Sequence, residues 1–167
     1  RAIFAAVRQG WLGDVFLVRG YISNNLPPAR RLEWAEHKGG SMFDLGSHLV
    51  DATVRLLGKP NAVTSFLRRH GKFEDALMDN NVAVLEYDRA TAVLVNTALQ
   101  AGAAPPRSFE VLGTNGTATL RPIEPASLQL DLTSPAGPYR KGAQAVSLPP
   151  YQRYEGDLAE LAAAVRE

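Results

Sequence analysis

Residues Gly39 to Asp51, GGSMFDLGSHLVD, set an aspartate and a histidine four positions apart within an otherwise apolar helical pattern. Four residues make about one helical turn, so Asp44 and His48 lie one above the other and can present a carboxylate and an imidazole to the same small molecule. Histidine exchanges protons near neutrality better than any other side chain, which makes His48 the candidate general acid or base. At about 100° per residue, Asp44, Ser47, His48, Asp51 and Arg55 share one side of the helix, with Gly46, Leu49, Val50, Thr53, Leu56 and Leu57 opposite. By periodicity alone such a stripe is more often a solvated helix face. Placement favours chemistry: the pair follows Gly39 and Gly40 directly, where backbone can approach a ligand closely.

The helix that must hold this pair has legible ends. Ser41 followed three residues later by Asp44 reads as a capping box, a role that would by itself account for Asp44. Gly58 and Pro60 stop the helix after Leu57 by backbone geometry. A mid-helix glycine costs about 1 kcal/mol against alanine, so Gly46 on the buried side predicts a close approach of helix to sheet.

Upstream, Ile3, Phe4 and Val7 predict a helix over Arg1 to Gln9, and the β-rich run Val15 to Ile22 a strand. Ser23 to Lys38 reads as a long loop with room for one short helical turn. Beyond Pro60, seven segments resemble strands: Ala62 to Arg69, Asn81 to Tyr87, Thr91 to Leu99, Ser108 to Leu112, Thr117 to Arg121, Leu128 to Leu132 and Ala143 to Leu148. Asp88-Arg89-Ala90 and Thr114-Asn115-Gly116 suit hairpins, so most of the sheet should be antiparallel. Ala92 to Leu99 is apolar on both alternating faces, which predicts a sheet covered on both sides. Helices at Arg1 to Gln9, Ser41 to Leu57 and Tyr154 to Glu167 can cover one face, leaving the other for a second subunit or domain.

Composition narrows the classes. The 167 residues, 46% hydrophobic, suffice for one core and one domain, 1–167. A net charge of +1 without a basic run argues against nucleic acid as a partner. Zero cysteines exclude disulfides and thiolate metal sites and suit a reducing compartment, so a cytoplasmic location is expected. No apolar run reaches the roughly 20 residues of a membrane span, and no membrane partner is expected. The start at Arg1 and the uncapped helical pattern at Glu167 lead us to expect that both ends are cut from a longer polypeptide.

The stretch GGSMFDLGSHLVDATVRLLGKP, Gly39 to Pro60, resembles the signature of the glucose-fructose oxidoreductase and inositol dehydrogenase (Gfo/Idh/MocA) family of nicotinamide-dependent enzymes, in their C-terminal domain. The opening RAIFAAVRQGWLGDVFLVRG and the later FEVLGTNGTATLRP resemble the start and a late hairpin of the same domain. The resemblance implies an α+β fold: an open, mostly antiparallel sheet with helices on one face, like the C-terminal domain of glyceraldehyde-3-phosphate dehydrogenase. It also implies a homo-oligomer formed through the sheet face.

For chemistry it implies that His48 acts as acid or base on a hydroxyl of a sugar or polyol, while Asp44 holds substrate hydroxyls or the imidazole. The cofactor would be NAD or NADP, bound by an N-terminal Rossmann domain that also supplies a lysine from a Glu-Lys-Pro motif. Neither that motif nor a strand followed by Gly-x-Gly-x-x-Gly occurs here, so no cofactor-binding residues are assigned in this chain, and the isolated domain is expected to be inactive. Ser41 stands where many relatives carry a third glycine.

Arg30, Arg31, Trp34, His37 and Lys38 precede the glycine pair in a loop that passes over the substrate site in relatives. All five are candidate substrate contacts, Arg30, Trp34, His37 and Lys38 foremost, against the alternative of exposed loop charges with Trp34 plugging the domain edge. No metal is expected, although His37, His48, Asp44 and Asp51 are suitable ligand types. His70 reads as exposed near a turn. Two rivals to a dehydrogenase stand: a non-catalytic oligomerisation or ligand-binding module, and an NAD-assisted lyase or glycosidase that oxidises and re-reduces its sugar.

Overall fold

The computed structural model describes residues 1–149 and 155–166. The elements run α1 (Ala2–Arg8), β1 (Val15–Tyr21), α2 (Pro28–Ala35), a π-helical turn (Met42–Gly46), α3 (Ser47–Leu57), β2 (Ala62–Arg68), β3 (Asn80–Glu86), β4 (Thr91–Thr97), β5 (Ser108–Gly113), β6 (Gly116–Leu120), β7 (Leu128–Leu132), β8 (Gly142–Val146) and α4 (Glu155–Arg166). All eight strands form one sheet in the order β2-β3-β4-β1-β5-β6-β7-β8. Only β1 with β4 is parallel; every other pairing is antiparallel. The predicted α+β class and open, mostly antiparallel sheet are therefore what the chain adopts. Tyr154 and Glu167, the ends of the expected last helix, lie outside the described residues.

Side chains alternate across each strand, so one face of the sheet collects Val18, Ala83, Leu85, Ala92, Leu94, Phe109, Val111, Ala118, Leu128, Leu130 and Leu132, all buried. Ile3 and Ala6 of α1 and Leu49 of α3 close this core. Contrary to expectation α4 does not share the covering, because Leu158, Leu161 and Val165 are exposed. The opposite face carries half-buried Leu17, Tyr21, Val82, Val84, Val93 and Val95, with Arg19 and Glu110 ion-paired at 2.7 Å among them.

Three local expectations change. Ser23 to Lys38 is not a loop with one turn: Pro28 at the first helical position and seven residues without glycine or β-branching sustain the eight-residue α2. At Gly46 the atoms nearest the missing Cβ belong to the Met42 side chain of its own helix, so the room the glycine leaves is taken by that thioether. The close approach is made from the sheet side by Gly20, where an added Cβ would lie 3.1 Å from both Leu49 methyls. The hairpin at Thr114-Asn115 forms as predicted, but Gly116 belongs to β6, where a side chain would strike the Asp131 carbonyl.

Parallel pairing of β1 with β4 puts the C-terminal ends of both strands at one end of the sheet. In open sheets that end is where ligands gather. Here it holds α2, residues 69–79, the Gly39–Gly40 turn and a set of fully buried polar side chains, Ser23, Asp79, Asn81 and Asn96.

Candidate active site

Gly40 adopts φ +54°, and a side chain there would collide with the Met78 backbone. The glycine pair thus brings backbone close to backbone, and the approach anticipated for a ligand is taken up by the protein itself. Met78 offers its carbonyl to the Ser41 N–H at 3.1 Å and to the Ser41 hydroxyl at 3.3 Å. Asn81 Nδ2 donates to the same carbonyl at 2.9 Å and to Ser41 Oγ at 2.8 Å. Ser41 is therefore not a capping box with Asp44: its hydroxyl is turned into this buried network and caps nothing.

The helix then opens with a π turn rather than a uniform α pattern. The wider winding frees backbone acceptors where it meets α3, and Ser47 Oγ donates to the Asp44 carbonyl at 2.6 Å. Such insertions recur at functional sites, because they redirect side chains without ending the helix. Asp44 lies in the π turn and is half-buried; His48 lies in the first turn of α3 and is exposed. Among the described residues neither the Asp44 carboxylate nor the His48 ring is engaged in a hydrogen bond or ion pair, so both can meet a ligand. Asp51 stands 4.0 Å from Arg55 on the exposed continuation of the stripe.

Beside that stripe runs an open groove of about 480 Å³, lined by Gly39, Met42, Phe43, Ser47, Val50, Asp51 and Val54. Its walls are apolar apart from Ser47 and Asp51. Asp44 and His48 stand on the neighbouring stripe and do not line it. At its mouth the His37 ring stacks on Phe43 at 4.7 Å and 19°, and Trp34 leans on His37 at 5.4 Å. Trp34 and His37 are thus drawn together beside the π turn, whereas Arg30 pairs with Glu33 at 2.8 Å on the exposed side of α2 and Lys38 is exposed. Phe43, which the polar-stripe reading passed over, completes this ledge. Its signal was an exposed aromatic beside the glycine pair.

Arg31 behaves unlike its neighbours. It is fully buried, with Nε 2.6 Å and Nη2 3.0 Å from the Asp75 carboxylate, Nη2 2.8 Å from Asp79, and the Phe73 ring 3.8 Å away across the guanidinium. This takes it out of the pool of substrate contacts. Burial alone would lower its pKa, but the hydrogen bonds it donates to Asp75 and Asp79 outweigh that and raise it. Reciprocally, the Arg31 hydrogen bonds hold the Asp75 carboxyl below the usual carboxylate range; burial opposes this and the Leu77 N–H assists it.

The sign of the linkage follows. Below the ordinary aspartate value of about 3.9 the unfolded chain binds a proton at Asp75 that the folded chain does not, so stability falls with pH there. The contribution is complete above that value and is lost as pH drops through it toward the lower folded value. Urea titrations at stepped pH should show this acid limb flattened in Asp75→Asn, and parallel profiles would reject the assignment.

Among the described residues no helix is long and apolar enough to cross a membrane.

The comparisons agree with this architecture. The GFO/IDH/MocA C-terminal domain family matches residues 1–119. The chain is 32% identical over 74 residues to scyllo-inositol 2-dehydrogenase (NADP(+)) of Bacillus subtilis, covering 42% of this chain and 20% of that protein. It is 29% identical over 122 residues to trans-1,2-dihydrobenzene-1,2-diol dehydrogenase of Bos taurus, covering 71% and 35%. In structure it matches levoglucosan dehydrogenase in complex with NADH and levoglucosan, with TM-score 0.72, 21% identity, and 87% of this chain on 43% of that one. An oxidoreductase from Agrobacterium radiobacter in complex with NAD+, L-tartaric acid and magnesium matches with TM-score 0.72, 19% identity, and 99% on 48%. The chain spans about a fifth to a third of these curated relatives and less than half of these structures. With the family matched over most of its length and the open eight-stranded sheet in place, the chain belongs to the GFO/IDH/MocA C-terminal domain family.

Proposed function

We propose that this chain is the substrate-binding half of an NAD(P)-dependent oxidoreductase acting on a secondary alcohol of a sugar, polyol or related diol. The observation that carries the reading is the unengaged pair of a half-buried Asp44 and an exposed His48, one turn apart where the π turn meets α3, beside an open groove. In alcohol oxidation His48 takes the hydroxyl proton, and Asp44 orients a neighbouring hydroxyl. In this reading Trp34 and His37, packed beside Phe43 of the π turn, bound one side of the substrate, and the exposed Lys38 and Arg30 are further candidates at its edge.

The chain's own residues do not fit a dinucleotide, since the sequence has no strand leading into a Gly-x-Gly-x-x-Gly turn. In this proposal residues 1–167 form one substrate and oligomerisation domain, a Rossmann domain of the same polypeptide holds NAD or NADP, and a second copy covers the half-apolar outer sheet face. When bound, the nicotinamide supplies the hydride acceptor. The inositol and dihydrodiol dehydrogenases among the relatives support the substrate class.

The test is product accounting in the longer protein, with scyllo-inositol and trans-1,2-dihydrobenzene-1,2-diol as substrates. One reduced cofactor per ketone formed supports the dehydrogenase. Product without net cofactor reduction supports transient oxidation by a lyase or glycosidase instead, and no turnover of either diol class counts against the proposal.

A further inference from the structure

The Arg31 cluster lies outside the groove and touches none of the proposed substrate contacts, yet it is the most elaborate polar arrangement in the described residues. A buried ion pair of this kind adds little stability over well-packed apolar residues, because the desolvation of both charges offsets their attraction. What it does supply is direction: a bidentate guanidinium–carboxylate pair fixes two planes against each other. Here the planes belong to α2 and to residues 69–79.

Residues 69–79 hold more than Arg31. Asp79, which receives Arg31, also accepts the His70 N–H at 2.9 Å and the Gly71 N–H at 3.1 Å, so the segment is folded around its carboxylate. Its own backbone carbonyl is gripped by the Thr97 hydroxyl and the Ala98 N–H, both at 2.8 Å, which anchors it to the end of β4. The very next carbonyl toward the N-terminus, Met78, is the one that holds Ser41 and lies against Gly40. A single peptide therefore separates the acceptor of Arg31 from the seat of the reactive helix. A second route runs along α2 itself, from Arg31 to Trp34 one turn later, then to His37 and Phe43 in the π turn.

We propose that Arg31, through Asp75 and Asp79, is a positioning residue that latches α2 to residues 69–79 and thereby fixes the start of the helix carrying Asp44 and His48. The proposal rests on reading Asp44 and His48 as the working pair. It extends that reading by naming the buried charges that aim it. Groups that must hold a reacting atom to within a fraction of an ångström need such support when they sit in an irregular turn.

The test is amide hydrogen exchange on the chain carrying Arg31→Gln, Arg31→Lys or Asp75→Asn, together with the ring resonances of His48. Exchange at Ser41 to Leu45, which Arg31 does not touch, should accelerate about tenfold or more in Arg31→Gln. Val111, Ala118 and Leu130 in the distant sheet should lose protection only by the drop in global stability read from urea titration of the same variant, and the His48 resonances of the folded state should shift. Arg31→Lys should restore part of the protection. If Arg31→Gln does not fold, Asp75→Asn, which retains the Asp79 pair, gives the same reading in milder form. Loss of protection confined to residues 69–79, or spread evenly through the sheet, with Ser41 to Leu45 and the His48 ring unmoved, overturns the proposal. None of these readouts depends on turnover. A failed latch with a dead His48→Ala enzyme leaves the functional reading standing, and an intact latch with a fully active His48→Ala enzyme removes it.

Discussion

If the proposed oxidoreductase reading holds, replacing His48 by alanine in the longer protein is expected to lower turnover by about 100- to 10,000-fold, the range for a lost acid–base group. The fold should not notice. His48 is exposed on the polar stripe and engages no partner among the described residues, so its truncation changes stability by about 0.5 kcal/mol or less. Circular dichroism and urea unfolding check the second half of this statement, and steady-state kinetics the first. The effect should fall on kcat more than on KM, because the imidazole is asked to move a proton in the transition state rather than to hold the alcohol beforehand. Asp44→Asn should raise KM as well, since the carboxylate contributes orientation of substrate hydroxyls. Turnover unchanged in His48→Ala would remove the catalytic assignment and leave a binding module on the same sheet.

Truncating Arg31 to alanine is expected to cost about 3 to 5 kcal/mol of folding stability, the penalty for stranding buried charges. Two carboxylates lose their partner at once: Asp75, whose side chain is 5% exposed, and Asp79, which is fully buried. Phe73 also loses the cation against its face. Set beside the 5 to 15 kcal/mol that holds an ordinary domain together, this brings the chain to the edge of unfolding. Urea titration reads it directly. A loss below about 1 kcal/mol would mean that the two aspartates find solvent or protons easily, and that the cluster is less closed than its geometry implies. The two large predictions separate cleanly, because one residue governs rate with the fold intact and the other governs the fold with no contact to substrate.

The element boundaries were legible wherever the determining forces are local. β7 was read to the residue, and β1 through β6 and β8 to within one or two, because alternation and hairpin chemistry are written in neighbouring positions. The end of α3 at Leu57 was equally plain: Gly58, at φ +84°, can adopt a conformation that other residues resist. α2 escapes hydrophobic patterning because its sequence, PARRLEWA, shows no sustained apolar period; its one fully buried side chain is an arginine, which patterning counts as polar.

The sequence by itself determined the family and the open α+β sheet, and it set a carboxylate and an imidazole one turn apart behind two glycines. Tertiary structure alone decided what each supporting residue does. Ser41 turns from a cap into a tether to Met78, 37 residues away, and Arg31 turns from a candidate substrate contact into a buried latch on Asp75 and Asp79, 44 and 48 residues away. Local propensity describes a residue against its neighbours in the chain. A hydrogen bond made across the end of a sheet depends on which strands lie side by side, and that is settled only when β1 pairs with β4 and brings the two halves of the site to the same end.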